Sequence, residues 1–76
     1  MDDEGFKRLL DQLGREIKAL RSDAGLSQEA LALAAEVDRT YVSQLERGVA
    51  NPSLMILHRI SNVLGRNLRI SFLESA

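Results

Sequence analysis

The sequence predicts an all-α domain, built as a bundle of four to five short helices. Apolar residues recur at spacings of three and four along four stretches, which places them on one face of a helix in each. Glycine or proline separates these stretches, at Gly25, Gly48, Pro52 and Gly65, and the short gaps favour tight connections. A chain of 76 residues allows one small domain, which buries only about 60% of the surface that its unfolded chain exposes.

The first apolar stripe predicts an opening helix. It consists of Phe6, Leu9, Leu10, Leu13, Ile17 and Leu20. Gly14 interrupts this stripe and lowers helix stability by up to about 1 kcal/mol relative to alanine. We therefore predict that residues 1–12 are an N-terminal extension, helical or frayed, and that residues 13–65 form the domain proper. Gly25 is expected to end the helix in the left-handed conformation.

Two short helices with a tight turn between them follow. Ser27 and Asp38 are typical N-cap residues, and Asp38 precedes a helix predicted over residues 39–47. The first of the two helices is rich in alanine, which allows close approach of another helix. The second carries mostly hydrogen-bonding side chains beside the apolar Val42 and Leu45. This arrangement is typical of a helix-turn-helix, whose second helix enters a DNA major groove about 12 Å wide.

A fourth helix and a tail complete the chain. Ser53 is expected to cap the fourth helix, which ends at Gly65. Residues 66–76 form the tail, where apolar Leu68, Ile70 and Phe72 alternate with polar residues. This alternation predicts a short strand, which we favour over a fifth helix. Because a lone strand has no partner in its own chain, we predict that the tail pairs with a second copy in a homodimer.

A set of short motifs covers residues 20–65. They are Leu-Arg at 20–21, Gly-Leu-Ser-Gln-Glu at 25–29, Leu-Ala at 31–32, Asp-Arg-Thr-Tyr-Val-Ser-Gln-Leu-Glu-Arg-Gly at 38–48, Asn-Pro-Ser-Leu at 51–54 and Leu-Gly at 64–65. In these motifs the chain resembles the Cro/phage-repressor/Xre family. The resemblance implies a lambda-repressor-like bundle and a DNA-binding transcription regulator. Such a protein would bind a palindromic operator as a homodimer, with half-sites about 34 Å apart.

The resemblance also implies roles for individual residues. The positions that match DNA-contacting residues are Gln28, Arg39, Thr40, Tyr41, Ser43, Gln44, Arg47 and Asn51. Among them, Arg39, Thr40 and Gln44 match positions that face bases, whereas Tyr41 and Ser43 match positions near bases or backbone. Gln28 matches a residue that contacts phosphate and supports the recognition helix. For each single residue, solvated surface is the alternative interpretation.

The charge of the chain argues against a nucleic-acid partner at first sight, because the net charge is −1. Residues 27–52 carry two arginines against four acidic residues, whereas residues 53–76 carry three arginines against one acidic residue. Few cations predict weak non-specific binding and a need for two half-sites. The resemblance implies that Arg21 and Glu46 form a partly buried ion pair, so Glu46 is not counted among the charges that repel DNA.

Composition excludes several other function classes. The chain has no cysteine and one histidine, His58, so neither a thiolate nor a His-rich metal site is expected. No apolar run approaches the roughly 20 residues needed to span a bilayer, and the acidic start at residues 2–4 is unlike that of a signal peptide. We expect a soluble, cytoplasmic protein with no cofactor, no membrane partner and no small-molecule ligand.

Three alternatives remain open at this stage. An enzyme is disfavoured because His58 has no cluster of catalytic groups around it in the sequence, and we expect it at the surface or a dimer edge. A protein-interaction module stays an alternative because the positive charge of the chain is low. Within the family, residues 38–43 resemble restriction–modification controller proteins, whereas the tail resembles Hip-type antitoxins, which would add a toxin partner.

Overall fold

The computed structural model describes residues 3–74 and contains four α-helices within that range. They are α1 (Asp3–Asp23), α2 (Gln28–Ala35), α3 (Arg39–Glu46) and α4 (Leu54–Val63). Helix α3 packs against α1 and α2, and α4 packs against α2. The prediction of an all-α fold is confirmed.

The core lies where the four helices meet. Its buried members are Ile17, Leu31, Ala32, Ala35, Val42, Leu45, Ala50 and Ile60. Leu31, Val42 and Ile60 are the largest side chains that are fully buried. Each comes from a different helix, so these three residues hold α2, α3 and α4 together.

Helix capping follows the sequence prediction at two of three sites. The hydroxyl of Ser27 accepts a hydrogen bond from Ala30 N at 3.0 Å, and the hydroxyl of Ser53 accepts one from Ile56 N at 3.2 Å. Asp38 occupies the N-cap position of α3 in an extended conformation, but its side chain makes no capping hydrogen bond. Its exposed carboxylate therefore remains free of the helix backbone.

The turn between α2 and α3 contains a left-handed residue, Glu36, with φ 60° and ψ 44°. Such a conformation costs a non-glycine residue roughly 1–2 kcal/mol. Two features compensate for it. The N–H of Val37 donates to the carbonyl of Ala32 at 2.9 Å, and the side chain of Val37 packs against the core. This combination is a Schellman motif with its hydrophobic contact, and it sets the direction in which α3 begins.

Gly14 does not interrupt α1, which runs as a single helix through it. A side chain at this position would collide with the end of α3, because a Cβ atom would lie 2.7 Å from the carbonyl oxygen of Glu46 and closer still to that of Leu45. The glycine thus lets the backbones of α1 and α3 touch. No separate turn precedes Gly14, and the division of the chain at residue 12 stays a prediction.

A second glycine, directly after α3, also allows a close backbone contact with α1. Gly48 follows α3 with φ +72°, and a Cβ atom there would collide with the Asp11 carboxylate and lie 3.1 Å from Asp11 Cα. The segment before Gly14, predicted as a helical or frayed extension, therefore lies against the end of α3 as regular helix.

The tail is in neither of the predicted conformations. From residue 66 to residue 74 the chain forms no strand and no helix, so the predicted strand is not present there and neither is a fifth helix. The physical reason is that strand hydrogen bonds need a second strand, which a single chain does not supply here. Leu68, Ile70 and Phe72 are 38%, 58% and 101% exposed. Residues 75 and 76 of the predicted tail, and residues 1 and 2, of which Asp2 belongs to the acidic start, lie outside the described residues.

Replacing Gly14 with alanine tests the backbone contact. Helix propensity alone would make Gly14→Ala stabilising by up to about 1 kcal/mol. We expect it instead to lower the free energy of unfolding by about 1–3 kcal/mol, because the methyl group has no room against α3. Urea unfolding followed by circular dichroism measures the change. Gln12→Ala, at an exposed position of the same helix, serves as the control and should change stability little. A Gly14→Ala variant as stable as the wild type would contradict the contact.

Candidate nucleic-acid interface

Helix α3 divides its side chains between the core and the surface. Val42 and Leu45 are 0% and 2% exposed. Arg39 and Thr40 are exposed, and Ser43 and Gln44 are half-buried. The apolar side of the helix is therefore fully used by the core, and polar side chains form the rest of its surface.

Residues in the loop after α3 are alternately exposed and buried. Arg47, Val49 and Asn51 are exposed, whereas Gly48 and Ala50 between them are buried. The buried members hold the loop against the domain. The exposed members extend the polar surface of α3 beyond the end of the helix.

Most of the predicted DNA-contacting side chains are unpaired. Within residues 3–74, no hydrogen bond or ion pair engages the side chains of Arg39, Thr40, Gln44, Arg47 and Asn51. Their donors and acceptors are available to an external partner. Tyr41 differs, because it is half-buried and packs against the core, and its ring therefore supports α3.

The carboxylate of Glu46 joins three segments of the chain. Arg21 Nε and Nη2 donate to its two oxygens at 2.6 and 3.0 Å, and Gln28 Nε2 donates to Oε1 at 3.0 Å. Arg21 Nη1 also donates to the carbonyl oxygen of Leu26 at 2.8 Å. The structure thus brings together Arg21 and Glu46, as the resemblance implies. Gln28 joins them and is tied to α3 by its amide.

This cluster is nearly closed to solvent. The side chains of Arg21 and Glu46 are 13% and 3% exposed. Burial by itself raises the pKa of Glu46, but the hydrogen bonds from Arg21 and Gln28 outweigh burial and bring this pKa below its ordinary value. The hydrogen bond to Glu46 raises the pKa of Arg21 against the opposing effect of burial. Both groups are held in their charged forms.

The cluster decides the electrostatics of the α3 surface. Because the charge of Glu46 is buried and paired, it does not face a ligand bound on α3. The exposed charges of this region are the cations Arg39 and Arg47 and the acids Glu36 and Asp38. The surface is consequently mixed in charge, with both cations on α3 or directly after it.

One member of the cluster was not predicted from the sequence. The Leu26 carbonyl is a backbone group, and no residue type marks it in advance as a partner of Arg21. The signal that could have found it is Gly25, whose φ of +72° turns the chain at the end of α1, so that the carbonyl of the next residue lies near Arg21.

Other kinds of site find no support in the described part of the chain. No group of three or more His, Cys, Asp and Glu residues lies close enough there to hold a metal ion. None of the four helices combines the length and apolar character needed to cross a membrane. His58 lies exposed on α4 with its Nε2 atom 3.4 Å from Asn62 Nδ2.

Comparison with known proteins identifies the family. A family model described as helix-turn-helix matches residues 17–70. The chain is 42% identical over 53 residues to control protein C.BamHI of Bacillus amyloliquefaciens, covering 68% of this chain and 65% of that protein. It is 43% identical over 58 residues to control protein C.MunI of a Mycoplasma species, covering 75% and 78%. The immunity repressor protein of Bacillus phage phi105 is 40% identical over 53 residues, covering 70% of this chain and 37% of the repressor.

Solved structures agree with these relatives. The restriction-modification controller protein C.AhdI from Aeromonas hydrophila superposes with a TM-score of 0.75 at 38% identity, over 76% of this chain and 88% of that one. The clp gene regulator ClgR from Corynebacterium glutamicum superposes with a TM-score of 0.76 at 34% identity, over 78% and 63%. The chain thus spans just under two thirds of the length of some relatives. It belongs to the Cro/phage-repressor family of helix-turn-helix transcription regulators, a non-enzymatic class.

The buried carboxylate gives a pH-dependent prediction. Because the pKa of Glu46 is lower in the folded than in the unfolded chain, its stabilisation is complete above the unfolded value of about 4.3 and is lost as the pH falls through the folded value. Glu46→Gln should lower the free energy of unfolding by up to about 3 kcal/mol near neutral pH, because Arg21 is left uncompensated. This difference from the wild type should narrow as the pH falls below the unfolded value and through the lower folded one.

Urea unfolding at neutral and acidic pH measures both quantities. Glu29→Gln removes an exposed carboxylate from α2 and should show little difference at either pH. If the Glu46→Gln difference were independent of pH, the assignment of a stabilising charge to Glu46 would be wrong.

Proposed function

We propose that the chain is a sequence-specific, double-stranded DNA-binding transcription regulator. It acts in the cytoplasm, as a repressor or autoregulator, and binds a palindromic operator as a homodimer. The observation that carries this proposal is the set of exposed, unpaired side chains on α3 and the loop after it, on a helix whose last turn is tied down through Glu46. The names of the relatives, two control proteins and an immunity repressor, support a regulatory role.

The side chains on α3 have the chemistry that base edges require. An arginine at position 39 can donate two hydrogen bonds to guanine, and a glutamine at position 44 can pair with adenine. Thr40 and Ser43 offer hydroxyl groups for bases or phosphates. The half-buried Tyr41 lies beside them and contributes mainly through packing.

We expect two further elements to contact the phosphate backbone. Arg47 and Asn51 are exposed on the loop after α3. Gln28 stands at the first position of α2, and one of its two amide hydrogens is engaged by Glu46, which leaves the other for a phosphate oxygen. Phosphate contacts of this kind position a recognition helix without reading sequence.

Dimerisation through the tail compensates for the small number of cations on a single chain. One copy presents few cations towards DNA, and two copies on adjacent half-sites double the phosphate contacts. An open groove of about 630 Å³ lies between α1, α4 and the tail, with Leu13, Ile17 and Leu57 among its lining residues. Apolar surface at this groove and on Leu68, Ile70 and Phe72 is suited to burial against a second copy.

Loss of a base contact and loss of a phosphate contact should have different effects. Arg39→Ala should relax sequence preference at one base pair by about 1–3 kcal/mol, whereas Asn51→Ala should weaken all sites alike. Selection from random duplexes, followed by titration at two salt concentrations, measures both. Selection that enriches no palindrome, together with binding that does not depend on salt, would exclude the regulator and favour a protein-interaction module.

The tail is tested separately from the DNA contacts. Phe72→Asp should convert the dimer to a monomer, because a charge cannot be buried unpaired in an apolar interface. Sedimentation equilibrium measures the association state. Leu33→Asp is the matched control, since Leu33 is 81% exposed on α2 and should leave the dimer intact. A wild-type chain that is monomeric at micromolar concentration would instead favour a partner protein, such as a toxin, as the occupant of the tail.

A further inference from the structure

We propose that Lys7 is a positioning residue for the loop of residues 47–51, and that it acts through the carbonyl group of Gly48. The inference rests on the proposed DNA-binding function, because the loop carries the predicted phosphate contacts. It adds to that function a residue from α1, well before the part of the chain that resembles the family motifs.

The contact joins two distant parts of the chain. Lys7 Nζ donates to the carbonyl oxygen of Gly48 at 2.9 Å, across 41 residues of sequence. Asp11 Oδ1 accepts from the same ammonium group at 2.8 Å. Because Lys7 and Asp11 are one helical turn apart on α1, the carboxylate holds the ammonium group in place over Gly48.

The hydrogen bond from Lys7 affects the loop because of where Gly48 lies in it. Gly48 is buried and lies directly between exposed Arg47 and exposed Val49, with Asn51 shortly after. Its backbone packs against α1, where a Cβ atom would lie 3.1 Å from Asp11 Cα. The direction in which Arg47 and Asn51 leave the domain therefore depends on how Gly48 sits against α1.

Helix α3 has no basic side chain of its own in its last turn. A cation near the carboxyl end of a helix is favourable because the carbonyl groups there carry partial negative charge. Arg47, at the C-cap of α3, is one such cation, and Lys7 adds a second from α1. The side chain of Lys7 is 52% exposed, so it contributes little to global stability and acts mainly on the geometry of the loop.

If the loop is already held in its binding conformation, less conformational entropy is lost when DNA binds. Removing the ammonium group should consequently reduce affinity without unfolding the domain. The effect should also depend on the loop contacts, since Lys7 acts through them and does not touch DNA.

The experiment uses the full chain and a duplex selected by the wild type. Lys7→Met should weaken binding about three- to tenfold, with the midpoint of urea unfolding nearly unchanged, and Lys7→Arg should restore most of the affinity. Arg15→Met removes a charge from an exposed position of the same helix and controls for the general loss of a cation. In the Asn51→Ala background, Lys7→Met should have a smaller effect than in the wild type.

A second measurement does not need DNA. Lys7→Met should speed hydrogen exchange at the amides of residues 48–51 in the free protein, and Arg15→Met should not. Wild-type protein that binds no duplex while this exchange responds would reject the DNA-binding function and keep the positioning role. Wild-type and Lys7→Met protein with equal affinity and equal exchange would overturn the inference. Additive effects of Lys7→Met and Asn51→Ala would also overturn it.

Discussion

The buried carboxylate of Glu46 is the constraint on which the rest of the domain depends. A charge removed from water must be paired and hydrogen-bonded, and the partners of Glu46 come from α1 and α2. Arg21 extends the same constraint to the chain between α1 and α2 through the Leu26 carbonyl. None of these segments can shift without leaving a buried group unsatisfied. The last turn of α3 is therefore fixed in position and rotation relative to the two helices that support it.

Contact between backbones reinforces this constraint at the same end of α3. Because Gly14 has no side chain, the carbonyl groups in the last turn of α3 can lie against it. Gly48 in the same way allows the backbone of α1 at Asp11 to approach closely. Within residues 3–74 the core has eight buried apolar residues, and a small domain gains little stability from so small a hydrophobic interior. Specific contacts of this kind limit the number of ways in which its short helices can pack.

Local signals predicted much of the fold, because caps and apolar spacing act over a few residues. The caps at Ser27 and Ser53 are examples. Helix propensity assigns Gly14 a cost within α1, but it takes no account of α3, which packs against this glycine. The contact of Lys7 with Gly48 spans 41 residues and leaves no trace in local pattern. The strand in the tail was predicted from alternating apolar residues, and this pattern does not provide the second strand with which it would have to pair.

Attachment of α3 at its carboxyl end has a consequence for how such a domain can diversify. The groups that hold α3 in place are the carboxylate of Glu46, backbone carbonyl groups, Gly14 and Gly48. None of them lies on the face of α3 that points away from the domain. Exposed positions such as Arg39 and Thr40 can therefore be exchanged with little effect on how α3 is held. On the proposed function, replacing a few outward side chains would change the DNA preference, whereas substitutions at Gly14 or Glu46 would alter the position of α3 in every such variant. The side chains proposed to set the DNA preference and the groups that fix the position of α3 are therefore different residues of one short chain.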